Sequence, residues 1–136
     1  MNLVYIIIVN WNGWKDTIEC LESLLLLNYQ NFRIVVCDNG STDESLVMLE
    51  KWAESTYGLS SENWQLLDKE PAEQNNNGVD ALFTLIKNGI NLGFGAGTNV
   101  GLRYTLMKGD AAYCWLLNND TVVDPSALLY LVKRLS

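Results

Sequence analysis

LVYIIIV, residues 3–9, is a continuous run of apolar and mostly β-branched side chains. Such a run is typical of a strand that is covered on both faces, as the strands of parallel sheets are. The polar turn NWNG, residues 10–13, interrupts it. Apolar residues then recur at helical spacing, at Trp14, Ile18, Leu21 and Leu25. A buried strand followed by an amphipathic helix is the repeating unit of parallel α/β folds.

The same unit recurs along the chain. Further strands are predicted at 32–37, 81–86 and 112–117, and a weaker strand candidate lies at 64–67. This alternation predicts an α/β fold with a mostly parallel, Rossmann-like sheet, right-handed crossovers and helices on both faces. We expect the first strand and the strand at 112–117 to lie near the centre of the sheet.

Three more helices follow from caps and apolar spacing. Ser41 and Glu44 have the spacing of a capping box, and Asp124 with Pro125 indicates the start of the last helix. The predicted apolar stripes are Leu46, Leu49 and Ala53 in the second helix, Val100, Tyr104 and Met107 in the third, and Leu128, Leu131 and Leu135 in the last.

Length and periodicity indicate a single domain spanning residues 1–136. Residues 57–80 are polar and without periodicity, so we interpret them as a surface excursion within that domain. The segment 73–78 (EQNNNG) is its most loop-like part.

Charge and composition exclude several classes of function. The net charge of −7 disfavours binding to nucleic acid or to anionic lipid. The absence of histidine excludes Ser-His-Asp and Cys-His nucleophile systems and His-rich zinc sites. A small phosphorylated ligand remains compatible with the negative net charge if a helix N-terminus or a divalent cation offsets the charge of the phosphate.

The three cysteines, Cys20, Cys37 and Cys114, each lie in an apolar run and form no CxxC pair. We therefore predict reduced, buried packing residues in a reducing compartment. The run at 3–9 is too short to span a membrane and lacks the basic leader of a signal peptide. We expect a cytoplasmic protein, with the full-length form at the membrane surface as an alternative.

Polar groups, glycines or an aromatic follow each predicted strand. Ligands of open parallel sheets bind beyond the carboxyl ends of the strands. Any one such segment is better explained as a turn, but four together favour a binding site. The segments are Asn10, Trp11 and Asn12; Asp38 and Asn39; the glycine-rich 91–97; and Asn118, Asn119 and Asp120.

Individual residues in these segments suggest roles. Asp38 could accept hydrogen bonds from a nucleobase or ribose, with its carboxylate facing the crevice beside Trp11, or it could be a turn residue. Trp11 could pack over a base or a sugar ring, or cover the sheet edge. Asp120 is the best candidate ligand for a hard divalent cation, which prefers oxygen donors and would also bind diphosphate oxygens. Its alternative is a plain turn.

Four motifs resemble those of family 2 glycosyltransferases, which have the GT-A fold. They are VNWN (9–12), CDNGSTD (37–43) as a form of DNxSxD, the NxGxxxxxNxG pattern of Asn91, Gly93, Asn99 and Gly101, and LLNNDT (116–121) as a form of the DXD motif. The last form is common in the rhamnosyltransferase-like branch. The motifs occur in the family's order and span the chain apart from 57–80.

The resemblance implies inverting transfer of a sugar from a nucleoside diphosphate sugar to a hydroxyl acceptor. The acceptor would be a glycan or lipid-linked molecule in polysaccharide synthesis, and the cofactor Mg²⁺ or Mn²⁺. Asp38 would contact the base, Asn119 the ribose, and Asp120 the metal. The implied nucleotide-sugar-binding residues are Val9, Asn10, Trp11, Asn12, Asp38, Asn91, Gly93, Asn99, Asn118 and Asn119.

Two residues depart from the family pattern: Asn118 replaces the first Asp of DXD, and Thr98 stands where Arg is frequent. The family's catalytic base, an Asp or Glu, would follow beyond Ser136. We therefore expect the N-terminal part of a longer enzyme, which binds the donor but does not transfer the sugar alone.

Two rival functions predict other features in the sequence. A sugar-1-phosphate nucleotidyltransferase would carry a glycine-rich basic loop after its first strand, which residues 10–14 do not form. A non-catalytic nucleotide-binding or protein-interaction module is the other alternative, and the residues leave it open.

Overall fold

The computed structural model describes residues 2–59, 62–74 and 78–136. Strands and helices alternate along the chain, and each predicted strand is present, including the weaker candidate at 64–67. The elements are β1 (Val4–Asn10), α1 (Trp14–Leu24), β2 (Phe32–Asp38), α2 (Ser45–Tyr57), β3 (Trp64–Asp68), α3 (Lys69–Ala72), β4 (Phe83–Lys87), α4 (Phe94–Lys108), β5 (Tyr113–Leu117) and α5 (Ala127–Leu135).

The strands form one five-stranded sheet in the order β3-β4-β2-β1-β5, and every pairing is parallel. This confirms the predicted α/β fold with a parallel sheet. The central strand is β2, with β1 beside it. The predicted central position of the strand at 112–117 is wrong, because β5 lies at the edge beside β1. The burial of its side chains alternates, with Cys114 and Leu116 exposed, as in a strand covered on one face only.

Helices cover both faces of the sheet. Alternate residues of β1 point to opposite faces, as the period of a strand requires. Val4, Ile6 and Ile8 belong to a cluster completed by α1, α2 and α5. Tyr5 and Ile7 belong to a second cluster, to which α3 and α4 contribute. β1 is therefore buried on both faces, which explains the unbroken apolar run at 3–9.

Local hydrogen bonds displace two predicted helix starts. The Ser41 hydroxyl donates to Asp38, so the predicted capping box is not formed, and α2 begins at Ser45 with its N–H bonded to Asp43. At the last helix, the Asp124 carboxylate accepts hydrogen bonds from the N–H and hydroxyl of Ser126. That turn holds Pro125 outside the helix, and α5 begins at Ala127.

Four residues predicted to lie on the apolar faces of helices are instead exposed: Leu25, Met107, Leu131 and Leu135. In α4 the buried face also includes Gly101 and Thr105, and in α5 it is Leu128 and Val132 that are buried. When apolar residues lie on more than one face of a helix, their spacing alone does not show which face is buried.

Residues 57–80 contribute β3 and α3 to the fold. The Gln65 side chain hydrogen bonds to Thr84, Tyr104 and the backbone of Val79, and Ala72 is fully buried. These contacts attach a polar segment to the sheet without any apolar periodicity. Of the segment predicted to be most loop-like, residues 75–77 lie outside the described residues.

The cysteines differ in exposure. Cys20 and Cys37 are buried, and burial raises the pKa of their thiols to about 11 and about 12. Cys114 is exposed on the edge strand, so the prediction that all three are buried is wrong for it. Among the described residues, no helix combines the length and apolar character that a membrane crossing requires.

We predict that a single thiol of the native chain reacts with a thiol reagent such as DTNB at about pH 8, because the other two thiols are buried away from the reagent. That thiol is Cys114, and Cys114→Ser should abolish the reaction. All three thiols should react after unfolding. Rapid native reaction that persists in Cys114→Ser would contradict the burial of Cys20 and Cys37.

Gly101 provides a test of how closely α4 packs on the sheet. A Cβ there would lie 2.7 Å from Cγ2 of Ile7 and 3.1 Å from Sγ of Cys37. Gly101→Ala should therefore lower the free energy of unfolding by about 1–3 kcal/mol through overpacking. Gly95→Ala is the matched control on the same helix, because a Cβ there meets nothing within 4 Å. It should be neutral or stabilising by up to about 1 kcal/mol. Equal stabilities of both variants in urea unfolding would refute the close packing.

Candidate functional site

A crevice of about 470 Å³ lies at the carboxyl end of the sheet. The register explains its position: Asn10 of β1 pairs with Asp38 of β2, and Ile8 of β1 pairs with Leu117 of β5. The segments that follow these strands therefore leave the sheet at the same edge. The crevice is lined by Val9, Trp11, Asn39, Asn91, Gly93, Phe94, Asn118, Asn119 and Asp120.

Seven of the sequence-predicted site residues line this crevice: Val9, Trp11, Asn91, Gly93, Asn118, Asn119 and Asp120. Sequence reasoning missed two lining residues, Asn39 and Phe94. Asn39 follows Asp38 in one of the four strand-end segments, but the sequence predicts no binding role for it individually. Phe94 is an apolar residue inside the glycine-rich segment, and its position at the start of a helix is the available signal.

Asn10 and Asp38 lie beneath the crevice and are 0% and 1% exposed. Asn10 Nδ2 donates to Asp38 Oδ1 at 2.9 Å. The Ser41 hydroxyl donates to the same oxygen at 2.6 Å, and the Ser41 N–H donates to Oδ2 at 3.1 Å. This differs from the expectation that the Asp38 carboxylate faces the crevice. The observed bonds tie the loop after β2 to the end of β1, and a role of either residue in nucleotide binding stays a prediction.

Asn12 and Asn99 lie outside the set of lining residues. Asn12 has a positive φ of 49°, and its Oδ1 accepts hydrogen bonds from the backbone N–H groups of Thr42 and Asp43. It thereby joins the loop after β1 to the loop after β2. Asn99 is exposed on α4. A nucleotide contact by either residue stays a prediction.

The loop after β5 carries the candidate metal ligand. Asn119 Nδ2 donates to the Thr17 hydroxyl at 3.2 Å, which anchors the loop to α1. Asp120 is exposed and is the one carboxylate among the described lining residues. No group of three or more His, Cys, Asp or Glu among the described residues could hold a metal ion. The donors fit a hard cation that takes most of its oxygen ligands from a bound molecule.

The N-terminal end of α4 supplies positive partial charge to the same crevice. Gly93 and Phe94 line the crevice, and α4 continues for 15 residues without an acidic residue in its first turn. The first N–H groups of a helix have no intrahelical partner, and the helix dipole favours an anion there. The described lining residues include no Lys or Arg. A phosphate group in the crevice would therefore be met by backbone N–H groups.

The chain matches the model of the family described as glycosyl transferase family 2 over residues 5–136. Its fold is similar to that of a mannosyltransferase from Pyrobaculum calidifontis solved with GDP-Man and Mn²⁺, with a TM-score of 0.70 and 21% identity over 98% of this chain and 32% of that one. It is also similar to that of S. aureus TarS solved with UDP-GlcNAc, with a TM-score of 0.67 and 19% identity over 96% of this chain and 30% of that one.

A curated relative is the glycosyltransferase GlyG of Streptococcus pneumoniae, which is 40% identical over 43 residues. That match covers 32% of this chain and 14% of GlyG. The chain thus spans about a third of the length of the solved structures and less of the curated relative. The family match over residues 5–136 shows that the chain belongs to glycosyl transferase family 2.

Proposed function

We propose that the crevice binds the nucleoside diphosphate sugar of a glycosyltransferase that transfers the sugar to a hydroxyl acceptor with inversion. The observation that carries the proposal is the presence of an exposed carboxylate, Asp120, and the start of α4 in one crevice at the carboxyl ends of β1, β2 and β5. This is where open parallel sheets bind nucleotides.

The diphosphate needs local charge compensation, because the chain has a net charge of −7. The N–H groups at the start of α4 supply part of it. Asp120, with Asn118 lining the same crevice, would hold Mg²⁺ or Mn²⁺. When bound, such an ion offsets the negative charge of the diphosphate as it leaves the sugar. The Asn at position 118 leaves the site with less negative charge than two aspartates would give.

Two exposed aromatic residues favour a ligand with flat or apolar rings. Trp11 is 52% exposed and Phe94 is 61% exposed, and both line the crevice. Aromatic side chains stack on bases and cover the apolar faces of sugars. The solved relatives bound to GDP-Man and to UDP-GlcNAc support a nucleoside diphosphate sugar as the ligand class. They leave guanine and uracil as the two bases to test.

In the proposed reaction, a carboxylate removes the proton of the acceptor hydroxyl. The resulting oxygen attacks the anomeric carbon as the bond to the diphosphate breaks, which inverts the configuration. We assign no base within the crevice, because the one carboxylate among its described lining residues is assigned to the cation. A glycan or lipid-linked acceptor is proposed from the family resemblance.

Calorimetric titration of UDP and GDP, with and without Mn²⁺, tests the donor site. Mn²⁺ should tighten binding of at least one nucleotide to the native chain, and by linkage the nucleotide should tighten Mn²⁺ binding equally. Asp120→Ala should remove most of the enhancement, about 10- to 100-fold, the value of one charge-assisted contact. Glu19→Ala, which removes an exposed carboxylate outside the crevice, is the matched control and should retain it.

Two outcomes would contradict this assignment. If Mn²⁺ enhances binding equally in the native chain and in Asp120→Ala, the metal ligand is wrong. If neither nucleotide binds under any of these conditions, the donor site itself is wrong.

A further inference from the structure

We propose that Asn39 is a positioning residue: it holds the 91–93 turn against the end of β2 and so sets where α4 begins at the crevice. This inference rests on the proposed function, since it concerns how that site is built. Asn39 lines the crevice but is only 2% exposed.

All the hydrogen-bonding capacity of the Asn39 side chain is used within the protein. Its Nδ2 donates to Asn91 Oδ1 and to the Gly93 carbonyl, both at 3.1 Å. Its Oδ1 accepts from Asn88 Nδ2 at 3.1 Å and from the Leu92 N–H at 3.2 Å. A primary amide can donate two hydrogen bonds and its oxygen can accept two. Asn39 therefore has no donor left for a ligand in the crevice.

The partners also fix which end of the amide is which. The Leu92 N–H can only donate, so the atom facing it must be oxygen. The Gly93 carbonyl can only accept, so the atom facing it must be nitrogen. Asn91 is oriented in turn, because its Oδ1 also accepts from the Gly93 N–H at 2.8 Å. An isosteric carboxylate at position 39 would place an acceptor against two acceptors.

Close packing surrounds this amide. A Cβ on Gly97, in the first turns of α4, would lie 3.1–3.2 Å from the Asn39 amide atoms. A Cβ on Gly40, which has a φ of +75°, would lie 2.5–2.7 Å from backbone atoms of Ile90 and Asn91. The turn after β2 and the segment that leads into α4 are thus in direct contact on both sides of Asn39.

The network is retained at a cost elsewhere. Asn88 uses its Nδ2 for Asn39, and its own Oδ1 is buried without a hydrogen-bond partner among the described residues. A buried acceptor without a partner is unfavourable, and such atoms are uncommon in folded proteins.

The experiment compares the native chain with Asn39→Ala and Asn39→Asp, and measures two quantities. Hydrogen exchange over residues 88–97 is followed without nucleotide, and affinity for UDP and GDP with Mn²⁺ is measured by calorimetry. We expect faster exchange in this segment in Asn39→Ala before any nucleotide is added, and about tenfold weaker binding. If Asn39→Ala does not fold, Asn91→Ala, which removes two bonds of the same turn, takes its place.

Asn39→Asp adds a readout that a general loss of stability would not give. The ionised carboxylate faces two acceptors, whereas the protonated form can donate to one of them. The native turn therefore raises the pKa of the introduced carboxyl above its ordinary value of about 3.9. Binding relative to the native chain should be best at low pH and be lost as pH rises through the raised pKa. The nucleotide dissociation constant of Asn39→Asp, divided by that of the native chain, should fall as pH is lowered from about 8 to about 5.

The controls separate this inference from the proposed function. Asn28→Asp adds the same charge at an exposed position before β2, at the amino ends of the strands and away from the crevice. Its dissociation constant relative to that of the native chain should not change with pH. The ratio for Asn39→Ala should also be flat. Unchanged exchange in the free Asn39 variants with weakened binding would overturn positioning in favour of direct contact. Native-like binding in both variants would overturn it as well. Failure of the native chain to bind either nucleotide would instead refute the proposed function.

Discussion

The parallel pairing of β1 with β2 on one side and β5 on the other determines the rest of the structure. Because all three strands run the same way, the segments that follow them leave the sheet at one edge. Those segments are short and polar, and they bring an aromatic, a set of amides and one carboxylate to a single crevice. The apolar run of β1 makes this possible, since it is buried on both faces.

A layer of polar residues beneath the crevice holds the loops in place. Asp38, Asn10 and Thr17 form a buried chain of hydrogen bonds, and Ser41 bonds to the Asp38 carboxylate. Asn39 continues this layer toward α4. The motif after β2, residues 38–43, therefore stabilises the loops around the crevice, in addition to any contact with a ligand. In a buried network each member satisfies its neighbour, so the loss of one group leaves others without partners.

The sequence predicts the elements of the fold better than their arrangement. The strands are recognisable because short β-branched runs such as 3–9 are typical of buried strands. Their alternation with helices implies a parallel sheet. The edge position of β5 could not be predicted, since strand order depends on long-range pairing. The start of α2 was missed because Ser41, a plausible cap, bonds to Asp38 instead. The hydrogen bonds of the Gln65 side chain help to hold β3 on the sheet, and polar contacts of this kind cannot be predicted from apolar periodicity.

For the site, family motifs located seven lining residues but could not show which way side chains point. Asp38 and Asn39 are adjacent in one motif, yet the first is buried beneath the crevice and the second lines it. The most direct test of the account is a crystal structure of the chain grown with Mn²⁺ and UDP or GDP, with the metal located by its anomalous scattering. We expect a manganese peak within bonding distance of the Asp120 carboxylate, and the diphosphate between that ion and the start of α4. A nucleotide bound away from this crevice, or a manganese ion distant from Asp120, would contradict it.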